Sequence, residues 1–363
     1  MEATVGRRAY LMGQKAAGRS LAAVWPARYP AELLWAHGIC AGEVWDPPGD
    51  AEMTLAHLQS FVCPVVRKGL GLYLSGTLAP VDLLVFPHTC DSLQNLSSLV
   101  KDLLHEEKPC LAWYPPRASG PQALAYAESQ VRSLSQALDR VVGPMPDGAL
   151  EEAVAWGERR DGLLRDLYRL RAEGKLRATA TEFYEAVRSC EYLWPEEALA
   201  RLEVFLRGRR AEKPLLEGVP ILLSGVLPAP VSLLQWLDGE GIRIAEDDLI
   251  ACGRRVLREP LESPADPWAA LARRQLAWPP CSTAGSPLRE RIAFLLRLVE
   301  RSGARGVIFL AMKFCEPEGF ERPALVEALR AEGVPLLQAE SELEPEPPAS
   351  LVTRIQAFME SIP

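Results

Sequence analysis

Histidine is scarce in this chain, with four residues in 363. That scarcity disfavours the His-rich centres that many zinc and non-haem iron enzymes use. No CxxC pair and no paired Cys/His spacing occurs, so zinc-finger and thioredoxin-type motifs are excluded. No apolar run approaches the roughly 18 residues that a membrane span needs. The phosphate-binding pattern GxxxxGK[ST] is missing, so the chain is not expected to hydrolyse ATP by itself. MEATVGRRAYLMGQKAAGRS, at the start, holds no apolar stretch of signal-peptide length, which predicts a cytoplasmic protein. Positive charge is also short: 40 Lys and Arg face 48 Asp and Glu, a net charge of −8. That balance argues against nucleic acid or an anionic membrane as the main partner.

What is present is apolar mass and cysteine. Apolar residues make up 48% of the chain, and its length exceeds one ordinary core, so at least two domains are expected. Eight cysteines in a reducing compartment are not a disulfide framework. They divide between buried apolar thiols and metal or redox roles.

The pattern along the chain alternates strands with helices. RYPAELLWAHGICAGEVW (28–45) reads as an amphipathic helix and a strand-like turn. AEMTLAHLQSFVCPVVRKGLGLYLSG (51–76) reads as two helices with Cys63-Pro64 between them, Pro64 suiting a first helical turn. VDLLVFP (81–87) and CLAWYPP (110–116) read as apolar strands flanking a helical SLQNLSSLVKDLLHEE. Residues 120–215 are charged, with apolar residues at helical spacing. Strands at 218–225, 242–248 and 306–315 then alternate with helices, and one more helix and strand follow. The expected fold is α/β: two Rossmann- or flavodoxin-like lobes with parallel sheets, joined by a helical segment. The predicted division is an N-terminal lobe over 1–145, a helical bridge over 146–215 and a C-terminal lobe over 216–363.

In open α/β sheets, ligands gather outside the carboxyl ends of the strands. Cys90 lies just past one strand and Cys315 at the carboxyl end of another. Cys63 lies at a helix start, where backbone dipoles favour a thiolate. Three such thiolates facing one cleft suit an iron–sulfur cluster with one iron left open, or zinc with a water in its fourth position. Any one of them, taken alone, reads first as a buried core thiol. Cys110 and Cys190 read as core. Cys40, Cys252 and Cys281 are loop-adjacent and left open. Asp91 reads as the cap of the helix that follows it, and Arg254-Arg255 as a solvated pair.

FVCPVVRKGLGLYLSGTLAPVDLLVFPHTCDSLQNLSSL resembles the 2-hydroxyacyl-CoA dehydratase and benzoyl-CoA reductase family. So do YPAELLWAHG, LLSGVLPAPVSLLQWLDGEGIRIAEDDLIACGRR, GVIFLAMKFCEPEGFERPALVEALRAEGVPLLQAESE and TRIQAFMES, in that order. The resemblance implies two Rossmann-like lobes and a [4Fe-4S] cluster held by Cys63, Cys90 and Cys315. It further implies pairing with a paralogous second subunit as a heterodimer. A separate ATP-dependent iron–sulfur activator would supply electrons, and the substrate would be an acyl-CoA. The enzyme would be an acyl-CoA dehydratase (a lyase) or an acyl-CoA reductase (an oxidoreductase). Glu32 matches the family's Pro-x-Glu glutamate near the cluster, and His88 is a candidate functional donor or a loop histidine. Two other functions stay open. One is a double-cubane iron–sulfur reductase of small molecules, for which Cys40, Cys252 and Cys281 are possible extra ligands, though the extra set is incomplete. The other is a non-catalytic subunit that relays electrons or serves as a scaffold.

Overall fold

The computed structural model describes residues 6–26, 28–49, 52–117, 119–215, 218–257, 259–262 and 264–362. The first lobe runs α1 (Arg7–Ala16), β1 (Ser20–Val24), α2 (Ala31–Ala36), β2 (Ile39–Glu43), α3 (Pro64–Leu74), β3 (Leu83–Pro87), α4 (Asp91–Ser98) and β4 (Cys110–Trp113). Four helices follow: α5 (Pro121–Val142), α6 (Ala149–Ala172), α7 (Ala180–Arg188) and α8 (Pro195–Arg209). The second lobe runs β5 (Pro220–Gly225), α9 (Val231–Gly239), β6 (Arg243–Leu249), α10 (Pro267–Ala277), α11 (Leu288–Ser302), β7 (Gly306–Met312), α12 (Glu316–Ala331), β8 (Leu336–Ser341) and α13 (Ala349–Ser361). No helix among the described residues is long and apolar enough to cross a membrane.

Both sheets are parallel, and both have the same strand order: β2-β1-β3-β4 and β6-β5-β7-β8. This is the doubly wound order in which the winding reverses between the first and third strands of each lobe. Parallel strands covered on both faces read as continuous apolar runs, and β3 and β7 are buried at every position. One core runs between the two sheets and includes Trp25, Phe86, Tyr168, Phe183, Leu223 and Ile250. Separate cores cover the outer faces of the first sheet and the second.

Three readings of the sequence need correction. Residues 31–36 form a short helix with no exposed side, because every one of its residues is buried. Helix α6 packs on it from the bridge. Residues 39–43 are a full edge strand rather than a turn. The segment before Cys63 contains only a short 3-10 turn, Glu52–Ala56, in place of the first of two helices, residue 51 lying outside the described residues. One strand is not visible in the sequence pattern: β1 lies between β2 and β3, but SLAAV carries a weak strand signal, alanine being a poor strand former. Helix α10 also crosses back from the second half of the chain to pack on α5 and α6.

Helix α3 sits close to Trp25, the residue that follows β1. A Cβ built on Gly69 would lie 2.5 Å from Trp25 Nε1, so the helix rests directly on that indole. Trp25 in turn stacks on Phe86 with ring centroids 4.5 Å apart. Gly69→Ala is expected to push α3 off the sheet and cost about 1–3 kcal/mol, lowering the thermal midpoint by roughly 5 °C. A melt by circular dichroism checks this; an unchanged midpoint would contradict the close approach.

Candidate functional site

Cys90 and Cys315 occupy equivalent places in the two lobes. Each thiol lies three residues beyond the strand where the winding reverses (Pro87 to Cys90, and Met312 to Cys315). Each is the residue from which the next helix starts, α4 and α12 respectively. Cys63 likewise starts α3, with Pro64 in the first turn. The expectation that Asp91 caps α4 is corrected: Cys90 has the extended backbone of the cap and Asp91 is the first helical residue.

Three helix N-termini therefore turn their first amides towards sulfur. The amides of Val65 and Val66 lie close enough to Cys63, those of Ser92 and Leu93 to Cys90, and that of Glu318 to Cys315, to favour the thiolate. The Cys63 and Cys315 thiols lie close enough to perturb each other across the lobes. That proximity holds Cys63 below the usual thiol range and pushes Cys315 above it. Burial pushes the Cys90 thiol up to about 11, and the nearby Cys63 charge adds to the rise. Cys63 is buried, whereas Cys90 and Cys315 are partly open. The strained backbone of Phe314, at φ 60°, turns the chain just before Cys315.

Among the described residues, no group of three or more His, Cys, Asp or Glu side chains is placed to hold a metal ion. The donor chemistry of the three cysteines nevertheless suits an iron–sulfur cluster. The set is all sulfur, every member has amide donors that stabilise a thiolate, and two members are in mutual contact.

His88 is buried in the turn between β3 and Cys90. Its Nε2 lies 3.0 Å from Ser97 Oγ, whose own proton goes to the Gln94 carbonyl 2.8 Å away. Nε2 is therefore the donor, and Nδ1 is a buried acceptor without a hydrogen-bond partner. Burial lowers the pKa of His88, favouring this neutral form. The ring stands edge-on to Tyr114, with centroids 4.5 Å apart.

Glu32 is fully enclosed in an ionic group that joins α2, α6 and α10. Its carboxylate accepts from Arg274 at 2.9 Å and Arg160 at 3.0 Å. These arginines outweigh burial and hold Glu32 below its ordinary range. Neither its hydrogen bonds nor its ion pairs reach the three cysteine segments.

The other cysteines are dispersed. Cys40 points its thiol at the Tyr192 carbonyl, and burial pushes it up to about 12. Cys252 is fully buried near Asp247, which together with burial raises it. Cys281 lies 3.1 Å from Thr283 Oγ1 and 3.8 Å from Arg254 Nη1. Burial would raise its pKa, but Arg254, Arg28 and Arg291 hold it low. Burial pushes both Cys110 and Cys190 up to about 11, and both pack against the inter-sheet core.

Arg254 and Arg255 are not a solvated pair. Arg255 grips Glu43 of the first lobe with two 2.6 Å bonds. Arg254 is 1% exposed and joins two second-lobe carboxylates, Asp248 and Glu318. Asp248 is also bonded by Arg291 at 3.1 and 2.9 Å and by Ser224 at 3.0 Å. Arg291 continues to Glu321 on α12. Sequence reasoning missed this network. DDLIACGRR shows acids and bases within one short run, but pairing to residues 43, 318 and 321 is visible only in the fold.

The sequence model described as "2-hydroxyglutaryl-CoA dehydratase, D-component" matches residues 26–362. The chain belongs to that family. It is accordingly a component of an enzyme. Family members resembling it include the (R)-phenyllactyl-CoA dehydratase beta subunit of Clostridium sporogenes, 23% identical over 96% of this chain and 92% of the relative. The (R)-2-hydroxyglutaryl-CoA dehydratase subunit beta of Acidaminococcus fermentans is 25% identical over 96% of this chain and 94% of its own length. A benzoyl-CoA reductase subunit of Thauera aromatica is 25% identical over 88% and 84% respectively.

Asp248→Asn leaves two buried guanidiniums with one carboxylate fewer between them. It is expected to cost about 3–5 kcal/mol and to lower the thermal midpoint by about 10 °C. In the native protein, burial opposes ionisation of Asp248, but Arg254 and Arg291 hold it well below the usual carboxylate range. Its contribution to stability is therefore complete above the unfolded value of about 4 and is lost as pH falls below it. Thermal midpoints measured between pH 7 and pH 3 should stay level at first and drop steeply below about 4.

Proposed function

We propose that this chain is the iron–sulfur subunit of a cytoplasmic 2-hydroxyacyl-CoA dehydratase or benzoyl-CoA reductase-type enzyme, with Cys63, Cys90 and Cys315 holding one [4Fe-4S] cluster. The observation that carries the reading is the arrangement of those three cysteines at three helix N-termini, two of them in thiol–thiol contact across the lobes. Family membership supports it, and the relatives' names specify acyl-CoA thioesters as substrates. When bound, the cluster would supply a low-potential electron and an open iron that polarises a carbonyl oxygen.

The chain's own residues do the rest. The amides of Val65, Val66, Ser92, Leu93 and Glu318 stabilise negative charge on the three sulfurs. Trp25 and Phe86, stacked within the core between the sheets, help keep water from that side. His88, through its bond to Ser97, ties the Cys90 turn to α4. Glu32 and its two arginines fix α2 against the bridge. A paralogous second subunit would complete the enzyme, consistent with the "subunit" names of the relatives. An ATP-hydrolysing iron–sulfur activator would deliver the electrons. The reaction would be loss of water from a 2-hydroxyacyl thioester or reduction of an unsaturated one.

Anaerobic purification with iron and sulfide quantitation and EPR tests the reading. About four irons per chain are expected, and replacing Cys63, Cys90 or Cys315 by Ala should strip them. Cys110→Ala and Cys190→Ala should keep them. A count near eight would replace this reading with the double cubane. A folded, iron-free chain, or full iron in all three Ala variants, would overturn it.

A further inference from the structure

Glu318 acts on Cys315 twice. Cys315 caps α12 and Glu318 stands in the first turn of that helix, so its amide and its carboxylate both lie close to the Cys315 sulfur, the amide favouring negative charge there and the carboxylate opposing it. The carboxylate itself is not free to swing. Arg254 binds both of its oxygens, at 2.6 and 3.1 Å, and Ser282 Oγ donates to it as well. Arg254 is fixed in turn by two bonds to Asp248, at 2.8 and 3.0 Å. Arg291 repeats the arrangement one turn further along α12, bonding Asp248 on one side and Glu321 on the other. The first two turns of α12 are therefore clamped to β6 through buried guanidiniums.

Two carboxylates in the opening turns of a helix already complement its dipole, and exposed side chains would suffice for that. Here the carboxylate at position 318 is only 11% exposed, where a charge acts through a lower effective dielectric than at the surface. It is also held beside a sulfur that faces the other lobe.

Resting on the cluster assignment above, we propose that Glu318, seated by Arg254, is a positioning residue that lowers the reduction potential of the group bound by Cys315. Its fixed negative charge disfavours addition of an electron, while its amide favours negative charge on the sulfur. Neutralising the carboxylate without shortening it removes the first effect and leaves the second.

The test is an EPR-monitored redox titration of the anaerobically purified wild type, Glu318→Gln and Glu318→Asp, with iron content and circular dichroism recorded for each. Glu318→Gln is expected to keep its iron and its fold and to shift the potential to a more positive value. The expected change is about tenfold in the electron-transfer equilibrium, or about 59 mV for a one-electron couple. Glu318→Asp, which keeps the charge, should stay near the wild-type potential. An unchanged potential in an iron-replete Glu318→Gln overturns the proposal and leaves the cluster assignment standing. Loss of iron from a folded Glu318→Gln overturns it too, because the residue would then be a structural requirement of the site. If the wild type itself holds no iron, the cluster assignment fails and this proposal fails with it.

Discussion

Two neighbouring arginines hold the site together by reaching in opposite directions. Arg255 crosses to Glu43 in the first lobe, while Arg254 stays in the second and binds Asp248 and Glu318. Arg254 is fully enclosed and Arg255 only partly exposed, and without its carboxylates the Arg254 charge would be stranded in a low-dielectric interior. Buried pairs of this kind add little net stability over apolar packing. What they impose is geometry, since planar forks accept carboxylates in few orientations. The relation between the lobes, and the setting of α12 on β6, follow from those few orientations.

On that frame the topology delivers the thiols. Because both sheets have the same strand order, the loop after β3 and the loop after β7 are equivalent, and each ends in a cysteine that starts a helix. Cys63 breaks the equivalence. It comes from the start of α3, which the absence of a side chain at Gly69 lets rest on the Trp25 indole. The site is thus built from two matching corners and one intruding helix, and its amides come from backbone rather than from polar side chains.

Much of this was legible in the sequence for local reasons. VDLLVFP and GVIFLAM are apolar enough to be recognised as buried strands, and a cysteine just beyond such a run must lie near the carboxyl edge of a sheet. Pro64 marks a helix start and so places Cys63. What stayed hidden was either weakly patterned or distant. SLAAV lacks the β-branched density of a strand, although it lies between β2 and β3. AELLWA carries Glu32 and so reads as amphipathic, although every residue of the helix is buried. Glu32 sits in a motif the family resemblance puts near the cluster, but its hydrogen-bond partners, Arg160 and Arg274, come from far along the chain. Arg254 and Arg255 carry no local sign of burial, because their partners at 43 and 318 become neighbours only after folding.

The spread of the three thiols along the chain has a consequence for how the protein is made. Cys63 and Cys90 come from one end of the sequence and Cys315 from near the other, so no short stretch of nascent chain contains the full set. Any group that bridges all three acts as a staple on a very long loop. It removes closure entropy from the unfolded ensemble, much as a long-range cross-link does. Loading would then report that both lobes have folded and docked, and release would loosen the whole chain rather than one corner of it.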